Sequence, residues 1–271
     1  MNFRAFLDKN FIKRPALRRF ITRTLEGDRD CVISLFGVKM TVNSIREHGY
    51  LRASRIGNWS SVFGDEAAVL MSLASLLPHV DTVVDAGANV GLFSVTLGRF
   101  QKLYPGLKIF AFEADPDTYS RLRKNLSSPN QTAHHFAVSD EPGKLTFVRG
   151  AVSHVTTTVD QANAYSLKET FEVESRRLDS FDLPGENFLL KIDVEGQELR
   201  VLKGASAWFE KKRCAVVYLD GFDKTLEVIA LLKAHDFVLY DGRSLEPADE
   251  KTFSLLALRR EWYESILRSR P

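Results

Sequence analysis

Hydrophobic positions along this chain keep two different rhythms. Residues 2–25 place Phe3, Phe6, Leu7, Phe11, Ile12, Leu17, Phe20, Ile21 and Leu25 at helical spacing, with seven Lys and Arg residues between them. Pro15 predicts a break into two short helices, because a proline inside a helix removes a hydrogen bond and clashes with the preceding turn. A basic amphipathic segment of this kind either lies on a membrane surface or a partner, or packs on its own domain with its charges solvated. Two β-like runs follow, Cys31–Phe36 and Val38–Val42, and Gly37 between them predicts a hairpin. Residues 44–64 show no clear period and are rich in Gly, Ser, Arg and aromatic residues, which predicts a loop over a site. A helix is expected from about Asp65 to Leu77, closed by Pro78.

Beyond residue 80 the rhythm changes to strand, helix, strand, helix. Apolar runs predict strands at 81–85, 107–113, 132–138, 187–193, 213–219, 236–240 and 253–258. Helical spacing predicts helices at 91–103, 116–126, 196–210 and 223–235. Alternation of this type implies an α/β fold, with a mostly parallel, doubly wound sheet and helices on both faces. A further strand pair, Lys144–Arg149 and Phe171–Glu174, brackets the polar stretch 150–168, an insertion suited to shaping a substrate pocket. The chain therefore divides into an N-terminal part, 1–64, and a main domain, 65–271, with an insertion near 144–174.

Composition narrows the picture modestly. The 271 residues carry a net charge of +2, which gives no case for nucleic acid as a partner. Cys31 and Cys214 form neither a disulfide framework nor a zinc motif. No apolar segment is expected to reach the roughly 20 residues that span a bilayer. Arg4, Lys9, Lys13 and Arg14 interrupt any signal-peptide core, so a cytoplasmic location is expected.

The densest chemistry lies in Thr82-Val83-Val84-Asp85-Ala86-Gly87-Ala88-Asn89-Val90-Gly91-Leu92. A buried strand runs into a glycine-rich turn and a helix, where glycine lets a ligand lie on the main chain. The pattern D-x-G-x-N-x-G is not the dinucleotide fingerprint. A carboxylate at the strand end is a poor neighbour for pyrophosphate and a good one for an ammonium and a sulfonium, which S-adenosylmethionine carries. Glu113 closes the next apolar run at the spacing expected of a ribose carboxylate. A second cluster, Lys191-Ile192-Asp193-Val194-Glu195-Gly196, brings Asp193 and Glu195 to another strand end. Asp85, Glu113, Asp140, Asp193 and Asp220 thus form a rim of carboxylates at the edge where doubly wound sheets bind ligands.

Five blocks in this order resemble the FkbM-type S-adenosylmethionine-dependent methyltransferases. They are Val84 to Gly91; Phe112-Glu113-Ala114-Asp115-Pro116, where the family more often has proline in place of Ala114; Ala137-Val138-Ser139-Asp140 with Gly143; Arg177-Leu178-Asp179-Ser180; and Lys191 to Gly196 with Leu202-Lys203-Gly204-Ala205. The resemblance spans about 80–205. It implies a class I, Rossmann-like methyltransferase fold of seven strands, the last antiparallel. It also implies methyl transfer, usually to a hydroxyl of a sugar, glycan or secondary metabolite. On that basis Asp85, Gly87, Asn89 and Gly91 hold the methionine part, Glu113 the ribose, and Val138, Ser139 and Asp140 border the adenine, with Ala88, Ala114, Asp115 and Asp193 also expected to bind the cofactor.

A hydroxyl acceptor is a weak nucleophile, so a general base within reach is expected. Asp193 and Glu195 are the first candidates and His154 in the insertion is another. Glu195 has a second reading as a first-turn acid that favours a helix N-terminus. Asp193 and Asp220 are also where Mg²⁺ would sit, but no third ligand completes a set and metal is not favoured. Tyr50, Arg52, Arg55, Trp59 and Phe63 suit the acceptor side. The rival readings are a non-catalytic adenosyl-binding module and a nicotinamide-dependent oxidoreductase, the latter lacking any Tyr-x-x-x-Lys pair at Tyr119-Ser120-Arg121-Leu122-Arg123.

Overall fold

The computed structural model of the protein describes residues 15–57, 60–149, 157–158, 169–221 and 226–268. Helix α1 (Pro15–Glu26) begins at Pro15, where a missing N–H costs nothing because first-turn amides have no helical acceptor. The helix expected before Pro15 lies outside the described residues. The predicted hairpin is present as β1 (Asp30–Leu35) and β2 (Val38–Asn43). Phe36 and Gly37 both take positive φ, 47° and 75°, as a tight turn matched to strand twist requires.

The stretch 44–64 is largely helical and not a loop. Helix α2 (His48–Ile56) fills it, and α3 (Ser61–Leu76) starts four residues ahead of the expected Asp65. Ser60 caps α3 by accepting the Phe63 N–H. Burial of Leu51, Ala53 and Ile56 stabilises α2, a packing contribution that its Gly, Ser and Arg content concealed. The run Ser61–His79 is long and apolar enough by length and composition to cross a bilayer, which corrects the expectation that no segment reaches that size. In this fold its Val69, Leu70, Leu73 and Leu77 are buried while Met71 is exposed.

The main sheet has seven strands. They are β3 (Thr82–Ala86), β4 (Lys108–Phe112), β5 (Gln131–His134), β10 (Phe188–Ile192), β11 (Cys214–Leu219), β12 (Phe237–Asp241) and β13 (Leu255–Arg259). Their spatial order is β12-β13-β11-β10-β3-β4-β5, and β13 alone runs antiparallel to its neighbours. This is the class I methyltransferase arrangement. Helix α4 (Leu92–Gly98) follows β3 and α5 (Pro116–Asn125) follows β4. The single helix expected over 196–210 is two, α6 (Glu198–Lys203) and α7 (Ser206–Glu210). They part at Gly204, where a Cβ would lie 2.1 Å from the Ser139 carbonyl oxygen. Helices α8 (Leu226–Ala234) and α9 (Arg260–Arg268) complete the chain, the last unanticipated.

The strand expected over 132–138 splits. After β5 the chain leaves the main sheet and builds a second one from β6 (Ala137–Val138), β7 (Gly143–Val148), β8 (Thr157–Thr158) and β9 (Thr170–Arg176), in the order β6-β9-β7-β8. The predicted pair 144–149 and 171–174 is the antiparallel β7/β9 ladder within it.

Period-two alternation divides the core between the faces of the main sheet. Val84, Leu190, Ile192 and Val217 join Val201, Leu202, Trp208 and Leu232 on one side. Val83, Leu189, Val216 and Ile109 join Leu73, Phe93, Leu97 and Trp262 on the other. Truncating a fully buried leucine such as Leu190 to alanine in such a core costs about 2–5 kcal/mol. The hairpin and α2 dock on Val90 and Leu92 of the β3–α4 turn, so the N-terminal elements brace the loop that faces the site.

Candidate active site

At the carboxyl ends of β3, β4 and β10 lies a cleft open to solvent. Gly87, Asn89, Glu113, Ala114, Val138, Ser139, Asp193 and Glu195 line it, together with Phe112, Phe136, Ala137, Leu145, Phe147, Val194 and Gln197. Eight sequence-predicted site residues therefore meet on one concavity.

The turn after β3 is held by the end of β4. The N–H groups of Gly87 and Ala88 both donate to the Phe112 carbonyl, at 3.0 and 2.9 Å. Gly87, Asn89 and Gly91 take φ of 74°, 52° and 90°. These glycines serve the protein's own packing. A Cβ on Gly87 would stand 1.9 Å from the Asp193 carbonyl oxygen, and one on Gly91 2.7 Å from Leu122. Gly87 also lines the cleft, and its missing Cβ admits the backbone of β10's extension, which brings Asp193 beside the turn.

Glu113 is bound at both oxygens by backbone. Asn89 N–H donates to Oε2 at 2.9 Å and Asp115 N–H to Oε1 at 2.8 Å. Burial pushes this carboxyl up, the two N–H groups oppose that, and it settles at about 7. Each oxygen keeps a lone pair for a hydroxyl donor, which is what a ribose diol presents.

Asp115 has a different task. It is 1 % exposed and caps α5, accepting the N–H groups of Asp117 and Thr118 at 2.9 and 3.0 Å on Oδ1. Its Oδ2 receives Arg46 at 3.0 Å and Arg149 at 2.9 Å. One carboxylate thus ties the segment before α2, the β4–α5 turn and the end of β7. Asp115 does not line the cleft.

Asp85 does not line it either. Ser94 Oγ donates to its Oδ2 at 2.7 Å, and Lys191 Nζ lies 3.0 Å from Oδ1. Lys191 also donates to the Gly87 carbonyl at 2.9 Å and lies 3.5 Å from Asp193 Oδ2. Burial disfavours the Lys191 ammonium, but Asp85 and Asp193 outweigh it and hold its pKa up. Ala88, Gly91, Asp140 and Asp220 are also outside the cleft lining. Asp140 faces a neighbouring groove with Glu141 and Arg200. Asp220 accepts from Tyr218 Oη at 3.1 Å and Ser254 Oγ at 2.8 Å. Among the described residues no three His, Cys, Asp or Glu side chains are grouped to hold a metal.

Asp193 is the carboxylate the sheet presents to the cleft, with its side chain 36 % exposed. Burial raises it, Lys191 opposes, Asp220 and Asp85 add to the rise, and it reaches about 6. Glu195 follows with φ of 51° and is raised to about 7 by burial, Asp193 and Glu198. A non-glycine residue at positive φ is uncommon, and of the six among the described residues Asn89 and Glu195 line the cleft. His154 and Trp59 lie outside the described residues. Tyr50 and Glu66, from α2 and α3, lie within the electrostatic reach of Asp193 and are both raised, first by burial, Glu66 to about 8.

Sequence reasoning missed the aromatic wall. Phe136 precedes β6, and Leu145 and Phe147 share one face of β7. The alternation Leu145, Phe147 in a half-polar strand was the available signal. Apolar side chains on one wall and a ribose-type carboxylate at Glu113 fit an adenosyl group. The topology and this cleft define an S-adenosylmethionine-dependent methyltransferase of class I.

A family model described as the methyltransferase FkbM domain matches residues 85–239. The chain belongs to the FkbM methyltransferase family. "Methyltransferase 1" of Beauveria bassiana (strain ARSEF 2860) is 30% identical over 67% of this chain and 82% of its own length. "Hexuronic acid methyltransferase AglP" of Haloferax volcanii is 25% identical over 74% and 77%. "31-O-demethyl-FK506 methyltransferase FkbM" of Streptomyces tacrolimicus is 31% identical over 59% and 73%. A crystal structure of methyltransferase FkbM from Methylobacillus flagellatus KT aligns with a TM-score of 0.41 and 14% identity, over 66% of this chain and 44% of that one.

Proposed function

We propose that the protein methylates a hydroxyl oxygen on a sugar, glycan or secondary metabolite. The observation that carries this reading is Asp193, a raised and part-exposed carboxylate facing the cleft beside the Glu113 end. A hydroxyl needs a base where an amine needs less help, and a carboxyl near 6 is ionised at neutral pH. The name of one relative specifies a 31-O-demethyl acceptor, an oxygen, and that of another a hexuronic acid, a sugar-type acceptor.

S-adenosylmethionine, when bound, supplies a methyl carbon already activated by its sulfonium. Glu113 receives the ribose hydroxyls, and Phe136, Val138, Leu145 and Phe147 keep water from the purine. Asp193 would take the proton of the acceptor hydroxyl and so raise its nucleophilicity towards the donor. Glu195 orients the acceptor next to it. Lys191 keeps Asp193 in place and balances Asp85, so one carboxylate is spent on structure and one on chemistry.

The test is a transfer assay with isotopically labelled methyl donor against uronic acids, neutral sugars, hydroxylated macrolides and matched amines, with the product located by NMR. Label in a methyl ether supports the reading, and label in a carboxylate ester contradicts it. Label on nitrogen contradicts it.

A further inference from the structure

Helix α1 (Pro15–Glu26) is built inside out. An ordinary surface helix buries its apolar stripe and solvates its polar face. Here Thr22 is 2 % exposed, with its Oγ1 3.2 Å from His48 Nε2, and Glu26 takes Arg55 at 2.6 and 2.8 Å. The apolar residues turn outward: Leu17 is 46 % exposed, Phe20 67 % and Leu25 70 %. At about 100° per residue these three and Ile21 fall on one arc, with Arg18 at one rim and Arg23, paired with Asp28 at 3.1 Å, towards the other, while Arg19 falls on the opposite side.

Charge selects the occupant. Helix α1 itself carries three arginines, Arg18, Arg19 and Arg23, against one acid, Glu26, which Arg55 neutralises. Arg18, Arg19, Arg52 and Arg55 gather around His48, which burial and these four cations lower to about 4, so it adds no charge at neutral pH. An apolar stripe rimmed by arginines complements an anionic interface, whose headgroups meet the cations while the side chains enter the acyl boundary.

We propose that the outward face of α1 docks the protein on an anionic lipid bilayer surface. This is independent of the acceptor's identity and places the enzyme beside membrane-borne substrates.

The experiment is flotation of the full chain with phosphatidylcholine vesicles, with and without phosphatidylserine. The wild type is expected to float only with the anionic vesicles and to be released by high salt. L17D/F20D is expected to lower partitioning by roughly tenfold or more, since burial of the phenyl ring is lost. R23Q weakens it while reducing the salt dependence. Both variants alter exposed or rim positions, and unchanged S-adenosylhomocysteine binding certifies their fold. The proposal is overturned if binding is indifferent to phosphatidylserine, or if L17D/F20D floats like wild type. It is equally overturned if vesicles are ignored and sedimentation velocity shows self-association that L17D/F20D abolishes, which would make a second copy the occupant.

Discussion

Lys191 Nζ lies 3.0 Å from Asp85 Oδ1, with the two side chains 3 % and 1 % exposed. The pair joins adjacent parallel strands, since Lys191 of β10 stands opposite Asp85 of β3 in the register. It therefore fixes the turn that carries Gly87 and the strand end that carries Asp193 at once. Breaking a buried pair from one side leaves a charge without compensation, at a cost of about 3–5 kcal/mol. Lys191→Met should lose that much in urea unfolding, while D85N/K191M should recover most of it. A double-mutant cycle measures the coupling directly.

Asp193 should set the acid limb of activity. Its carboxyl is raised to about 6, so kcat/KM is expected to climb through that pH and level above it. Asp193→Asn should lower kcat about 10²- to 10⁴-fold and remove the limb, with S-adenosylhomocysteine affinity nearly unchanged. A pH–rate profile of both proteins provides the check.

Gly87→Ala should damage the site from behind. The added methyl meets the Asp193 carbonyl oxygen at 1.9 Å, in a residue already at φ of 74°. Displacement of either backbone moves the turn or Asp193. Loss of cofactor affinity together with a fall in Tm is expected by calorimetry.

The raised carboxyls also shape stability. Glu113, Asp193 and Glu195 all have folded pKa values above their unfolded ones, at about 7, 6 and 7. The folded protein thus binds more protons than the unfolded chain, and their contribution, present at acid pH, is lost as pH rises through those values. The ligand-free protein should lose Tm between about pH 5 and 8 for this reason, and Glu113→Gln should flatten the decline.

Much of this was legible from the residues, for physical reasons. The seven strands announce themselves because buried parallel strands are continuous apolar runs, and Phe188–Ile192 is fully buried. Glu113, Asn89 and Asp193 were found because strand ends meet at one edge. Asp85 and Asp115 were identified as chemically special without their use being readable. Both are buried carboxylates whose partners, Lys191 at one and Arg46 and Arg149 at the other, are distant in sequence. Helix α2 was missed because its stability comes from packing on β1 and β2, not from its own composition. The Phe136–Phe147 wall was missed because those side chains gain a role only when the second sheet folds over the first.

Titration calorimetry with S-adenosylhomocysteine against wild type, Glu113→Ala and Asp193→Asn tests the central claim most directly. The site described here predicts saturable binding to wild type and Asp193→Asn, and a loss of tenfold or more in Glu113→Ala, on the order of a charged hydrogen-bond pair. Undiminished affinity in a folded Glu113→Ala protein would contradict the assignment of this cleft to the adenosyl group.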